Sequence, residues 1–353
     1  METSIQDYYS VGSKDNIVVS SSSLKHIDPE QGGSPIAFIE FLENKGDDTP
    51  STRLGTLIHL YHEDPNNFAI ADVLKPSEKL GIIADFVIDR IKEGVIYSTA
   101  LIQEGIEFAG YYSNRWGKMD KLIDDVVQSI DAYVQEIITA KENNQVFITK
   151  TQLEPITNAI DALNRHPVAS KLMLAKDCDI TGDIVLTEVE RFGVYQFTDV
   201  INDEEKTYQL NYKAKIDKVI INLEKKVVKI VDLKTTGKGA YFYSESNFKT
   251  YKTYRQLAFY YKAIKDMLRE NYNVDPSTFK FEFYITVVET NGTGQCVVYR
   301  LNKRWIDAGL EENSKLLKRI GQHQETSNWS YSLEELEPNY MYIIPLRYVE
   351  ENN

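Results

Sequence analysis

Asp217, Asp232 and Lys234 are the residues whose types and spacing point most directly to chemistry. Asp217 lies in YKAKIDKVIIN, residues 212–222, and the other two in VKIVDLKTT, residues 228–236. Both stretches are rich in Val and Ile and read as strands. Between them stands the short turn Leu223-Glu-Lys-Lys226. A hairpin centred between Glu224 and Lys225 sets residue i against residue 449 − i, so Asp217 faces Asp232. Directly opposed side chains share one face, with Cβ atoms about 5 Å apart. Lys234, two residues beyond Asp232, shares that face.

Two facing carboxylates repel unless a proton or a cation lies between them. A hard divalent ion such as Mg²⁺ takes one or two carboxylates and keeps several waters. A lysine beside it can orient or deprotonate a water, an arrangement suited to attack on a phosphodiester. The spacing alone fits an exposed Asp–Lys cross-strand pair equally well, and such pairs contribute little. The neighbours Ile216, Val219, Ile230, Val231 and Leu233 argue for an apolar setting, where charges need a cation or a partner.

Helices must precede this hairpin. Pro35 to Leu42 reads as a short helix with Pro in its first turn, and residues 54–63 as a second. Residues 77–143 carry apolar residues at helical spacing, from Ile82 and Phe86 to Val134 and Ile138. A further helix is expected from Thr151, where Thr-Gln-Leu-Glu forms a capping box, to just before Pro167. The period then changes to strands at 184–198, 212–222 and 227–233. A helix over 249–270 follows, then strands at 279–289 and 295–301 joined by the NGTG turn at 291–294. The segment from 303 reads as a helix followed by loop and extended chain. This order predicts an α/β fold with a helical N-terminal part.

Composition narrows the class. The 353 residues are 42% hydrophobic and 26% charged, as in a globular protein of one large or two smaller domains. The net charge of −13 argues against a passive nucleic-acid coat, though not against an enzyme that grips nucleic acid in a locally basic channel. No apolar run reaches the ~20 residues of a membrane span, and the polar N-terminus lacks a secretory signal. The two cysteines, Cys178 and Cys296, form no CxxC pair, so no zinc ribbon or iron–sulfur cluster is expected. The expected compartment is the cytoplasm, with reduced thiols.

At the hairpin the sequence resembles the PD-(D/E)xK nuclease superfamily. Asp217 matches its first acid and Asp232-Leu-Lys234 its D/E-x-K element. YRQLAFYY, with Gln256 and Tyr260, resembles the QxxxY pattern of the RecB- and RecE-like exonucleases. GTLIHLYHEDP places His59 as that group's histidine, and TEVERF places Glu188 as an additional acid. SSSLKHI, SPIAFIEFL and LNRHPVASKLM resemble the opening and the helix before the sheet, so the likeness runs in order over about 18–300. The helical segment at 80–145 is longer than the pattern.

The resemblance implies a restriction-endonuclease-like core, a mixed central sheet flanked by helices. It divides the chain into a mostly helical part at 1–175 carrying His59, a nuclease core at 176–302, and a helix and extended tail at 303–353 packed on the same domain. It implies a Mg²⁺-dependent deoxyribonuclease, with Mn²⁺ as a substitute, acting 5′ to 3′ on linear double-stranded DNA. The 3′ single-stranded tails would feed phage-type recombination through a single-strand annealing protein. It further implies a homo-oligomeric ring and no membrane association. Asp217, Asp232, Lys234 and Gln256 take the catalytic roles. The metal ligands are His59, Glu188, Asp217, Asp232 and the carbonyl of Leu233. Two alternatives stand beside it: a catalytically silent DNA-end-binding or assembly protein of the same fold, and an endonuclease of the same superfamily.

Several residues keep two readings. Without the resemblance His59 reads as a histidine satisfied inside an apolar helix, and Glu188 as an exposed strand residue. Gln256 and Tyr260 share a helix face; Tyr260 either supports Gln256 or stacks on a base. Lys238, Lys249, Lys252 and Arg255, interleaved with Tyr241, Phe242, Tyr243, Tyr251 and Tyr254, read either as a segment gripping DNA or as a solvated loop. Thr235 and Thr236 carry no assignment.

Overall fold

A computed structural model describes residues 12–43, 49–111, 119–177, 181–201, 204–243, 248, 250–290 and 294–330. The chain gathers into two compact units. The first comprises residues up to 49, 163–289 and 295 onward; the second comprises 50–162 with 290–294. Among the described residues no helix is long and apolar enough to cross a membrane.

The first unit is built on a mixed sheet. In chain order its strands are β1 (Val18–Val19), β4 (Asp183–Ile201), β5 (Glu204–Asn222), β6 (Val227–Thr236), β7 (Lys280–Glu289) and β8 (Cys296–Leu301). The short strands β2 (Phe68–Ile70) and β3 (Val146–Ile148) form a separate parallel pair in the second unit. One edge of β5 is filled by β4, antiparallel; the other is shared by β6 and the parallel β1. β6 runs parallel to β7, which pairs antiparallel with β8. The hairpin register matches the expected one: Lys218 faces Val231 and Asn222 faces Val227, each pair summing to 449.

Helices α1 (Leu24–Ile27), α2 (Pro35–Glu43), α8 (Ala169–Met173), α9 (Thr253–Tyr272) and α10 (Lys303–Thr326) also belong to this unit. The parallel β6–β7 pair requires a crossover, and α9 supplies it. Leu257, Phe259, Ile264 and Leu268 of α9 join Val228, Ile230, Ile285 and Val287 of the sheet in one core. α10 lies close on α9: a Cβ at Gly309 would stand 2.8 Å from the Ala258 Cβ. Residues 17–38 pack here too, through Ile17, Val19, Leu24, Ile27 and Phe38. The mostly helical part expected over 1–175 divides between the two units, and residues 12–43 feed the sheet's core, where β1 pairs with the distant Asn211 and Tyr212.

The second unit holds α3 (Pro50–Glu63), α4 (Glu78–Lys92), α5 (Thr99–Phe108), α6 (Met119–Glu142) and the start of α7 (Lys150–Arg165). The helical stretch expected over 77–143 is three helices around Ile83, Val87, Ile102, Ile106, Val126 and Ile130. Ser98 starts the second of them, its Oγ accepting from the Leu101 N–H at 3.3 Å. The capping box of α7 sits two residues earlier than expected. The Gln152 N–H donates to Thr149 Oγ1 at 3.3 Å, and the Thr149 N–H donates to Gln152 Oε1 at 3.0 Å. Gln serves as well as Glu at the third position. Of the NGTG turn, residues 291–293 lie outside the described residues, as does the tail beyond 330.

Candidate active site

The site begins as an irregularity in two strands. Even-numbered residues of β5 from Leu210 to Ile216 fill the core, and then the odd-numbered Val219 and Ile221 do. β4 shifts in step: Ile184 and Leu186 pack on that core, then Val189, Tyr195 and Phe197. The pairing skips Glu188 and Asp217 but keeps its register, with Thr187 against Lys218 and Val189 against Ile216 on either side. The slip therefore falls at Glu188 and Asp217, which stand opposite each other. Glu188 has φ +49°, a left-handed backbone that an L residue adopts at a cost. Such strain concentrates at functional positions.

The last β5–β6 pair is Lys218 with Val231, and one step further the same register sets Asp217 against Asp232. The two registers place three acids, Glu188, Asp217 and Asp232, on neighbouring strands. Carboxylate oxygens of Glu188 and Asp217 lie within 4.8 Å of each other. The Leu233 N–H donates to Asp217 Oδ2 at 2.6 Å, tying the first acid to the strand that carries the second. Asp232 is only 1% exposed. Lys234 Nζ lies 3.0 Å from its Oδ1 and 2.8 Å from its Oδ2. Lys215 Nζ pairs with Glu188 Oε2 at 3.1 Å.

Burial pushes the Asp217 carboxyl up to about 6, and the Glu188 charge adds to this against the pull of Lys234. Burial acts to lower the Lys234 pKa, but the Asp232 and Asp217 carboxylates outweigh it and hold the ammonium above the usual lysine value. Lys234 is therefore a cation at neutral pH. Among these described residues, three acids stand beside two lysines, Lys215 and Lys234. Hard oxygen donors with that surplus, one of them already raised in pKa, suit a divalent cation of the Mg²⁺ or Mn²⁺ kind. The Leu233 carbonyl is on the same strand segment as Asp232, with the Leu233 side chain buried. His59 is carried by α3 of the second unit.

The remaining expected residues divide. Gln256 lies on α9, and its Nε2 donates to Tyr260 Oη at 2.7 Å. Tyr260 is 5% exposed, so its ring packs in the core and its hydroxyl orients Gln256. Lys238 is exposed, and its backbone N–H donates to Thr236 Oγ1 at 3.1 Å, which gives that threonine a turn-forming role. Lys249 lies outside the described residues. Lys252 and Arg255 point inward. Lys252 Nζ meets Glu30, Asp28 and Glu312 at 2.8, 3.1 and 3.2 Å. Arg255 is 5% exposed, bonded to Asp28 and, at 2.9 Å, to Gln31 Oε1. Both hold α9 to residues 28–31 and to α10, where the sequence suggested DNA contacts.

Sequence reasoning passed over Lys215 and Glu289. The signal for the first was the spacing Ile216-x-x-Val219, three residues where the strand period is two. For Glu289 it was an acid closing the apolar run of β7, as Asp232 does in β6; Glu289 is 1% exposed.

The sequence profile of a family described as "PDDEXK-like domain of unknown function (DUF3799)" matches residues 138–338. No curated protein matches the chain. A solved structure of a "Putative exonuclease" from Eubacterium rectale is similar over 99% of this chain and 98% of that one, at 14% identity and a TM-score of 0.46.

Proposed function

Since the chain belongs to the family of PDDEXK-like domains, within the PD-(D/E)xK superfamily, we propose that it is a divalent-metal-dependent deoxyribonuclease, working as a 5′-to-3′ exonuclease on linear double-stranded DNA. The observation that carries this reading is the row Glu188, Asp217 and Asp232, with the Lys234 ammonium held against Asp232.

Hydrolysis adds water to phosphorus and releases a 3′-oxygen. When bound, a cation such as Mg²⁺ lowers the pKa of a coordinated water and offsets charge on the leaving oxygen. Asp217 and Asp232 would hold it, with Glu188 and the Leu233 carbonyl as further oxygen donors. The resemblance of GTLIHLYHEDP to the family's histidine element supports His59 as a ligand. Asp217 is fixed by the Leu233 N–H, so that donor is already in place. Lys234 keeps its proton at neutral pH, which favours orienting the attacking water and screening the phosphate over removing a proton. Gln256, steadied by Tyr260, would contact phosphate or the ion's waters.

The exonuclease polarity, linear duplex ends as substrate, a single-strand annealing partner and a ring of copies rest on the resemblance to RecB- and RecE-like nucleases. A time course on end-labelled linear duplexes, with and without a 5′-phosphate in Mg²⁺, tests this, with a covalently closed plasmid beside them. Release of label from 5′ ends while the plasmid stays closed is expected. Plasmid cleavage would make the protein an endonuclease; label lost first from 3′ ends would reverse the polarity.

A further inference from the structure

The β6 strand leads from Lys234 directly into a short 3₁₀ turn, Ala240–Phe242. Both backbone polar groups of Ala240 are taken by buried or half-buried side chains from the neighbouring strands. Its N–H donates to Glu289 Oε1, and its carbonyl accepts from Tyr299 Oη at 2.8 Å. Thr236 pairs with Glu289 in the parallel register that sets Asp232 against Ile285, so Glu289 lies on the sheet face that carries Asp232 and Lys234. The end of the turn is tied as well: Tyr243 is 6% exposed and its hydroxyl bonds Thr253 Oγ1 at 3.0 Å.

A turn held this firmly presents two aromatic rings to solvent. Tyr241 is 74% exposed and Phe242 73%. A buried carboxylate such as Glu289 is costly unless it is bonded, and its observed bond serves to fix this turn. The exposed Lys238 stands three residues before Tyr241. Exposed rings on a fixed turn, with an exposed lysine three residues before them on the segment that leaves an acid–lysine cluster, match the chemistry that binds single-stranded nucleic acid: stacking for the bases and positive charge for the phosphates. Because the turn is already ordered, less entropy is lost when a base stacks on it.

We propose that Tyr241 and Phe242 form a base-stacking platform for unpaired nucleotides at the DNA end. This deepens the nuclease reading and rests on it for the identity of the ligand as DNA. The platform makes no use of base identity, since every base offers a π face. Glu289 acts as a positioning residue for the turn.

The test compares two probes on the full chain in Ca²⁺, read by fluorescence anisotropy. Both are duplexes with a four-nucleotide single-stranded tail, one of thymidines and one of abasic sites with the same phosphates. The wild type is expected to bind the thymidine tail on the order of tenfold more tightly per stacked base. Tyr241→Ala with Phe242→Ala should remove that preference and leave binding to the abasic tail unchanged; Tyr241→Phe should keep it. Equal binding of the two tails by the wild type, survival of the preference in the double variant, or no binding of either probe would overturn the proposal. A tail preference in a protein that cuts no DNA would defeat the nuclease reading alone.

Discussion

Asp217 accepts a 2.6 Å hydrogen bond from the Leu233 N–H, so the carboxylate of β5 is fastened to the strand bearing Asp232 and Lys234. Two consequences oppose each other. The bond presents the acid in a fixed place, while burial makes its charge costly and pushes the carboxyl up to about 6. Asp217→Asn keeps an acceptor oxygen and removes the charge. It is expected to lower nuclease activity at least a hundredfold. In EDTA at pH 8 it should raise the melting temperature by a few degrees. Melting curves and cleavage assays on the same preparation check both.

The raised Asp217 pKa also sets a pH dependence. A carboxyl higher in the fold than its ordinary 3.8 binds its proton more tightly when folded. Its contribution to stability is whole below pH ~4 and disappears as pH rises through about 6. A cation must displace that proton. Stabilisation by Mg²⁺ or Mn²⁺ is therefore expected to be weak at pH 5 and to grow toward pH 7.5. Thermal shifts across this range measure it; a cation effect constant over the whole range would contradict the assignment of Asp217 as a ligand.

Lys234 neutralises an acid that is 1% exposed. Lys234→Ala leaves Asp232 without that cation, at a cost of about 2 kcal/mol once the partial exposure of Lys234 is allowed for. The expected outcome is a lower melting temperature in EDTA, a larger recovery on adding divalent cation than the wild type shows, and activity reduced on the order of 10²- to 10⁴-fold. Calorimetry with and without cation reads the first two.

Arg255 and Lys238 should part company. Arg255 is buried against Asp28 and Gln31, so Arg255→Ala is expected to destabilise the protein by about 2–3 kcal/mol, through the lost charged hydrogen bonds, while Asp28 keeps Lys252. Lys238 is exposed, and Lys238→Ala should leave stability unchanged while lowering the slope of log affinity for DNA against log salt by about 1. Denaturant melts and a salt titration of DNA binding separate the two effects.

The legibility of the sequence followed the range of the interactions. The turn Leu223–Lys226 with its flanking β-branched runs sufficed to set Asp217 against Asp232, because a hairpin register is local. The long arm of β4 and β5 beyond residue 198 escaped notice. Glu204, Glu205 and Lys206 masked an alternation that Tyr208, Leu210 and Tyr212 continue. The inward turn of Lys252 and Arg255 depends on Asp28, more than two hundred residues away, and nothing near them in the chain announces it. Glu188 matched the family's extra acid only loosely, whereas its left-handed backbone and its place opposite Asp217 set it in the acid row.

The central claim is that the Asp217–Asp232–Lys234 cluster hydrolyses DNA with a divalent cation. The most direct measurement is digestion of a linear 5′-phosphorylated duplex in Mg²⁺ or Mn²⁺ by the wild type and by Asp232→Asn, with folding of the variant verified by circular dichroism. The account predicts cation-dependent digestion by the wild type, abolished by EDTA and lost in the folded variant. Wild-type activity in folded Asp232→Asn, or no cleavage by the wild type with either ion, would contradict it.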